Sequence, residues 1–141
     1  MRLFAALTLV LAPAAFAEAP DIASLYDVTT EGTSQKLKVG EKGKVVIAIK
    51  TKGGSHVSEE APLRIELASK EAKVEKAKLT LADNVVKKAE GQAHVDPKFE
   101  VPFTLAAAGK GNVEAKMTFF ICTEKLCARQ QKTLMLPVEA N

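Results

Sequence analysis

Residues 111–138 read GNVEAKMTFFICTEKLCARQQKTLMLPV and hold both cysteines of the chain. Val113, Ala115, Met117, Phe119 and Ile121 alternate with Glu114, Lys116 and Thr118, and Leu134, Leu136 and Val138 alternate with Thr133, Met135 and Pro137. That two-residue period belongs to half-buried strands, so the stretch predicts a β-hairpin whose loop is Thr123, Glu124, Lys125 and Leu126. Cys122 and Cys127 then face each other as the first cross-strand pair. Directly opposed residues of an antiparallel ladder have Cα atoms about 4.5–5.5 Å apart, inside the window of roughly 4.4–6.8 Å that a disulfide needs. A bond is geometrically available. The same register puts Lys116, Thr118, Phe120, Arg129 and Gln131 on the cysteines' face, the more polar side of the hairpin, so both thiols are expected to be partly accessible.

Working outward, period-two patterns recur along most of the chain. Residues 25–28 predict a first strand and residues 35–39 another, with Gly40 and Gly43 bracketing a turn before residues 44–50. In that segment Val45, Ile47 and Ile49 point one way and Val46 and Ala48 the other, the pattern of a central strand covered on both faces. Residues 56–61 read as a connecting loop, and Pro62 leads into a strand through Leu63, Ile65 and Leu67. A further strand is expected over residues 74–81 and a short one at Val85 and Val86. Phe99, Val101, Phe103 and Leu105 alternate again, and Pro102 among them argues for an edge position or a bulge. Seven or eight short strands with Gly and Pro punctuation and no convincing helix predict an all-β, immunoglobulin-like two-sheet sandwich.

The chain has 141 residues, enough for one core of ordinary size. Residues 1–17 read as a signal peptide: Met1 and Arg2, an apolar run through Leu11, and the small-residue site Ala15, Phe16, Ala17. Residues 18–24 are expected to be a flexible tether and residues 25–141 the domain. Such a leader directs the mature chain to the periplasm or out of the cell, where disulfides persist. Its apolar run is too short to stay as a membrane span, and no later segment could cross a membrane. Lys plus Arg total 20 and Asp plus Glu 17; losing Arg2 leaves 19 against 17, interspersed. Nucleic-acid binding needs a basic face with stacking aromatics, which the sequence does not have. Neither a Ser-His-Asp arrangement nor a phosphate loop is present, so hydrolase and transferase chemistry find no support.

Residues 99–138 resemble the C-terminal half of the N-terminal periplasmic domain of the thiol:disulfide interchange protein DsbD and its stand-alone relatives. The resemblance rests on the Val101-Pro102-Phe103-Thr104 strand end, a glycine turn, an aromatic strand, Cys-x4-Cys, and a closing strand ending Leu136-Pro137-Val138. The segment from His56 through Pro62 to Leu63 is similar to that family's loop leading into a strand. Where the family carries an aromatic cap segment over its cysteines, residues 87–96 here contain no Phe, Tyr or Trp. The resemblance implies an immunoglobulin-like sandwich and a redox role. In that role Cys122 and Cys127 take electrons from a thioredoxin-like partner and pass them to oxidised periplasmic proteins, with no cofactor.

On the residues alone, the cysteine pair has three readings. It is an exchange-competent dithiol, a structural cross-strand disulfide in a non-catalytic secreted sandwich, or half of a metal site. The metal reading needs ligands from His56 and His94, which lie far apart in sequence and outside recognised spacings, so each histidine is read as a loop residue. A ring this short gains only about 2 kcal/mol by loop entropy, less than a long loop would give, and both the exchange and the structural readings stay open. Lys125 and Arg129 near Cys127 predict the lower pKa there, and the apolar run before Cys122 predicts that Cys122 takes the mixed disulfide while Cys127 leaves.

Overall fold

The computed structural model describes residues 21–141, so the expected leader lies outside the described residues, as do positions 18–20 of the expected tether. From Asp21 the chain is already tied down. The Asp21 carboxylate accepts from the Ala23 N–H to cap a single 3-10 turn, Ile22–Leu25, and the Lys52 N–H donates to the Leu25 carbonyl at 2.8 Å.

Ten strands follow: β1 (Tyr26–Thr29), β2 (Lys36–Leu37), β3 (Lys42–Thr51), β4 (His56–Val57), β5 (Arg64–Ala68), β6 (Ala72–Val74), β7 (Lys78–Leu79), β8 (Lys98–Leu105), β9 (Gly109–Cys122) and β10 (Cys127–Ala140). They form two sheets, one ordered β1-β3-β8-β6 and the other β2-β10-β9-β5-β7, with β4 also paired to β9. The all-β, two-sheet sandwich expected from the sequence is what the chain forms, with ten strands rather than seven or eight. The difference lies in the shortest pieces. Residues 56–61, expected as loop, begin with β4. Residues 74–81, expected as one strand, are divided: β6 ends at Val74 and pairs with β8, whereas β7 pairs with β5 in the opposite sheet. The chain crosses between sheets through exposed Glu75, Lys76 and Ala77. Val85 and Val86 are not in a strand.

The alternating residues meet between the sheets. From one side come Val45, Ile47 and Ile49 of β3 with Phe99, Val101 and Phe103 of β8; from the other, Ile65 and Leu67 of β5 with Val113, Met117, Phe119 and Ile121 of β9. Each is at most 4% exposed, and a side chain of this size contributes about 1.5–3 kcal/mol on burial. Val46 is also buried, at 1%, on the outer face of β3, where Thr33 Oγ1 accepts from its N–H at 3.0 Å. The outer face of β3 is thus covered at Val46 and partly at Ala48, whereas Lys42, Lys44 and Lys50 on that face are exposed. Pro102 sits opposite Lys44 in the β3–β8 ladder. β8 is an interior strand and not the edge that Pro102 suggested; the Pro102 carbonyl accepts from the Glu75 N–H just beyond the end of β6, so its missing donor falls where the β6 ladder has ended.

The β9–β10 hairpin spans the whole sandwich, from the Cys122–Cys127 rung to the Gly109–Ala140 rung. At its far end β2 runs parallel to β10, and the Glu139 N–H donates to the Gln35 carbonyl at 2.7 Å. Toward the cysteines, Tyr26 closes the sandwich. Its ring stands edge-on to Phe119 with centroids 5.1 Å apart, and its hydroxyl donates to Gln130 Oε1 at 3.1 Å.

Candidate functional site

The hairpin tip is a four-residue link, as the cysteine spacing predicts. The Thr123 N–H donates to the Leu126 carbonyl at 2.8 Å, and Thr123 Oγ1 accepts from the N–H groups of Lys125 and Leu126. These bonds tighten the turn around a threonine hydroxyl. Because rungs of an antiparallel ladder alternate, the Cys122–Cys127 rung next to that bonded pair is a non-hydrogen-bonded one, where side chains lie closest. Cys122 and Cys127 are joined by a disulfide, with Cα atoms 4.0 Å apart.

The two sulfurs have different surroundings. Cys122 is 3% exposed, whereas Cys127 is exposed. Both were expected to be partly accessible, and Cys122 departs from that. The reason is lateral cover: β9 is a central strand, with β10 on one side of Cys122 and β4 on the other. Beyond β10, among the described residues, nothing pairs with the strand until β2 joins at Glu139. Cys127 is therefore the cysteine open to solvent, and the expectation that Cys122 is the attacked sulfur does not fit this geometry.

The cysteines' face continues as a groove of about 440 Å³ along the outside of the sheet, lined by Pro62, Arg64, Glu66, Lys116, Thr118, Phe120, Arg129 and Gln131. Three cations there face one carboxylate, and half-buried Phe120 supplies an apolar floor. A depression of similar size, about 380 Å³, lies at the opposite end of the hairpin between β2 and β10 and is remote from the sulfurs.

The structure brings together two residues that the sequence keeps far apart. His56 is the cross-strand partner of Cys122 on β4. His94, from the loop over residues 84–97, stacks on it with ring centroids 3.7 Å apart and planes within 5°. The loop is fixed at several points: Asn84 Oδ1 accepts from the N–H groups of Val86 and Lys98, Asp96 accepts from the backbone and hydroxyl of Thr51, and Lys88 donates to Glu59 at 2.7 Å. Glu59 also lies 3.9 Å from His94 Nδ1. Burial, and then the neighbouring His94, hold the His56 pKa below the ordinary imidazole range, with Glu59 opposing them. The hydrogen bond from Lys88 is the main reason that the Glu59 carboxyl is held below its usual range. Reading each histidine as an isolated loop residue missed this pair. Its one signal was that the chain has only two histidines, and their meeting depends on pairing between β4 and β9, more than sixty positions apart.

Among the described residues, no group of three or more His, Cys, Asp or Glu side chains is arranged to hold a metal ion. No helix among them is long and apolar enough to cross a membrane. Compared with known proteins, the chain matches no family model and gives no significant match to a curated protein.

Proposed function

We propose that this chain is a periplasmic thiol–disulfide exchange module of the DsbD N-terminal kind, relaying electron pairs through Cys122 and Cys127. One observation carries the reading: the disulfide joins a cysteine exposed to solvent, Cys127, to one that is buried, Cys122. A bond needed only for stability gains nothing from that exposure. The groove beside Cys127 adds a docking surface for a protein partner, with cationic walls and a Phe120 floor.

The exchange balances as two displacements. A thiolate of a reduced dithiol partner attacks Cys127 Sγ; the new mixed disulfide forms there, the Cys122–Cys127 bond breaks, and its electron pair leaves on Cys122 Sγ. The partner's second thiolate then attacks the partner's own sulfur in the mixed disulfide and expels Cys127 as thiolate. The module now holds two electrons and, after protonation, two protons. Reversal of these steps against an oxidised protein passes them on. A thioredoxin-like protein suits the donor role because such proteins present a dithiol with a low-pKa nucleophile.

The competing reading is a stabilising disulfide in a binding or structural sandwich, and the bond itself favours it. Reduction potential separates the two. Equilibrated with glutathione or dithiothreitol buffers, the exchange module reads above about −300 mV, and a structural bond reads below that. Trapping tests the polarity of attack: Cys122→Ser leaves an accessible thiol that captures an oxidised partner, and Cys127→Ser captures far less. A potential below that bound, or equal capture by both variants, overturns the scheme.

A further inference from the structure

The paired imidazoles beside the hairpin tip take no part in the displacements above. His56 faces Cys122 directly across the ladder, on the side of β9 away from Cys127. Because the Cys122–Cys127 rung is non-hydrogen-bonded, the backbone groups of Cys122 point toward β4, and the Ser58 N–H continues that ladder to the Phe120 carbonyl at 2.9 Å. Residues opposed in this way project from one face with Cβ atoms about 4.5–5.5 Å apart. Thiol and imidazole are neighbours. His94 lies flat on the His56 ring and restricts how it can turn, and the loop that carries His94 is pinned by Asn84, Lys88 and Asp96.

We propose that His56, backed by His94, takes up and returns the proton of Cys122 during thiol–disulfide exchange. This rests on the exchange reading and assigns the buried sulfur the partner it otherwise lacks. When Cys122 closes the ring again, its thiol passes the proton to the His56 imidazole. The thiolate attacks Cys127 Sγ, and the partner's sulfur leaves with the electron pair of the broken mixed disulfide. In the opposite direction the Cys122 thiolate released by attack at Cys127 recovers that proton. A thiol buried among apolar groups is held neutral and unreactive, and a neighbouring imidazole relieves this by making thiolate and imidazolium a pair. Burial and His94 leave His56 neutral near pH 7, able to accept. The other charges facing the pair are Glu59, which favours the imidazolium, and Lys88, which is bound to Glu59. Asp96 is engaged by Thr51. Glu124 and Lys125 lie in the turn between the cysteines, and Arg129 lies on β10 two residues beyond Cys127.

The test reads Cys122 alone, in reduced Cys127→Ser protein, as the rate of iodoacetamide alkylation against pH. Adding His56→Gln is expected to slow alkylation about tenfold near pH 7, the effect of one pKa unit, with the curves converging at high pH where any thiol is ionised. His94→Ala slows it in the same direction and by less. In the Cys122→Ser background the same His56 substitution leaves the Cys127 rate unchanged, which separates charge coupling from lost structure. Superposable profiles with and without His56, or equal slowing at both cysteines, overturn the proposal. No partner protein enters the measurement. A bond too stable to exchange would overturn the relay function and leave the His56–Cys122 coupling measurable on its own.

Discussion

At the β2 end of the β9–β10 hairpin, the inward face of β10 carries Leu136, Val138 and Ala140, each at most 3% exposed, and the strand's outer edge is bonded to β2. Toward the cysteines, the same face of the same strand carries Ala128, Gln130 and Lys132, and no strand among the described residues covers the edge. Here Tyr26 substitutes for a core: its hydroxyl meets Gln130, and Lys132 Nζ lies 5.7 Å from its ring centroid. One ladder thus anchors the sandwich at one end and carries a disulfide between a buried cysteine, Cys122, and an exposed one, Cys127, at the other. Burial and exposure are separated along a single strand, so each end can be altered with limited effect on the other.

The largest effect belongs to the anchored end. Leu136→Ala deletes a side chain 2% exposed and is expected to destabilise by about 2–5 kcal/mol in urea unfolding. Reducing the disulfide comes next, at about 2 kcal/mol for so short a ring. If reduction cost more than Leu136→Ala, the tip would be holding up the fold and the contrast would fail.

The smallest effect is set by pH. The His56 pKa is lowered in the folded chain, so its contribution is complete above the unfolded value of about 6.5 and is lost as pH falls through the folded value. Glu59, Asp83 and Glu100 are also held low, in each case chiefly by a lysine hydrogen bond. Their contributions disappear in a second, more acid window below about 4.3. Thermal melts from pH 8 to pH 3 are expected to show two steps of decline, and His56→Phe to remove only the first. A single acid step in both proteins would detach His56 from the stability of the tip.

The hairpin was legible because its information is local. Strict alternation on both arms and a four-residue gap between cysteines fix register, face and bond together. The crossover in residues 74–81 left a fainter mark. Ala77, Leu79 and Leu81 keep one phase, but Val74 is three residues from Ala77 and therefore out of phase, and the slip falls where the chain changes sheets. Two-residue strands such as β4 have no period to read. For that reason the cover over Cys122 and the place of His56 were not accessible from pattern alone. The burial of Cys122 is a property of three strands at once, and the sequence displays only two of them side by side.

The uncovered edge of β10 also governs how these molecules meet at high concentration. The non-bonded rung at Cys127 means that Cys127, Arg129, Gln131, Thr133 and Met135 direct their backbone N–H and C=O groups away from β9. At Glu139 the same alternate positions are satisfied by β2. An open row of that kind is a template on which a second chain can add, the first step toward fibres. Pro137 stands at the boundary between the closed and open parts and has no N–H to offer, so a foreign strand cannot extend β2's pairing continuously along β10. Nearer the tip, Arg129 would meet its own charge in a self-paired edge, and Lys132 lies over Tyr26 on the other face. The edge is open to a brief visitor and poorly suited to a permanent neighbour, which works against edge-to-edge association.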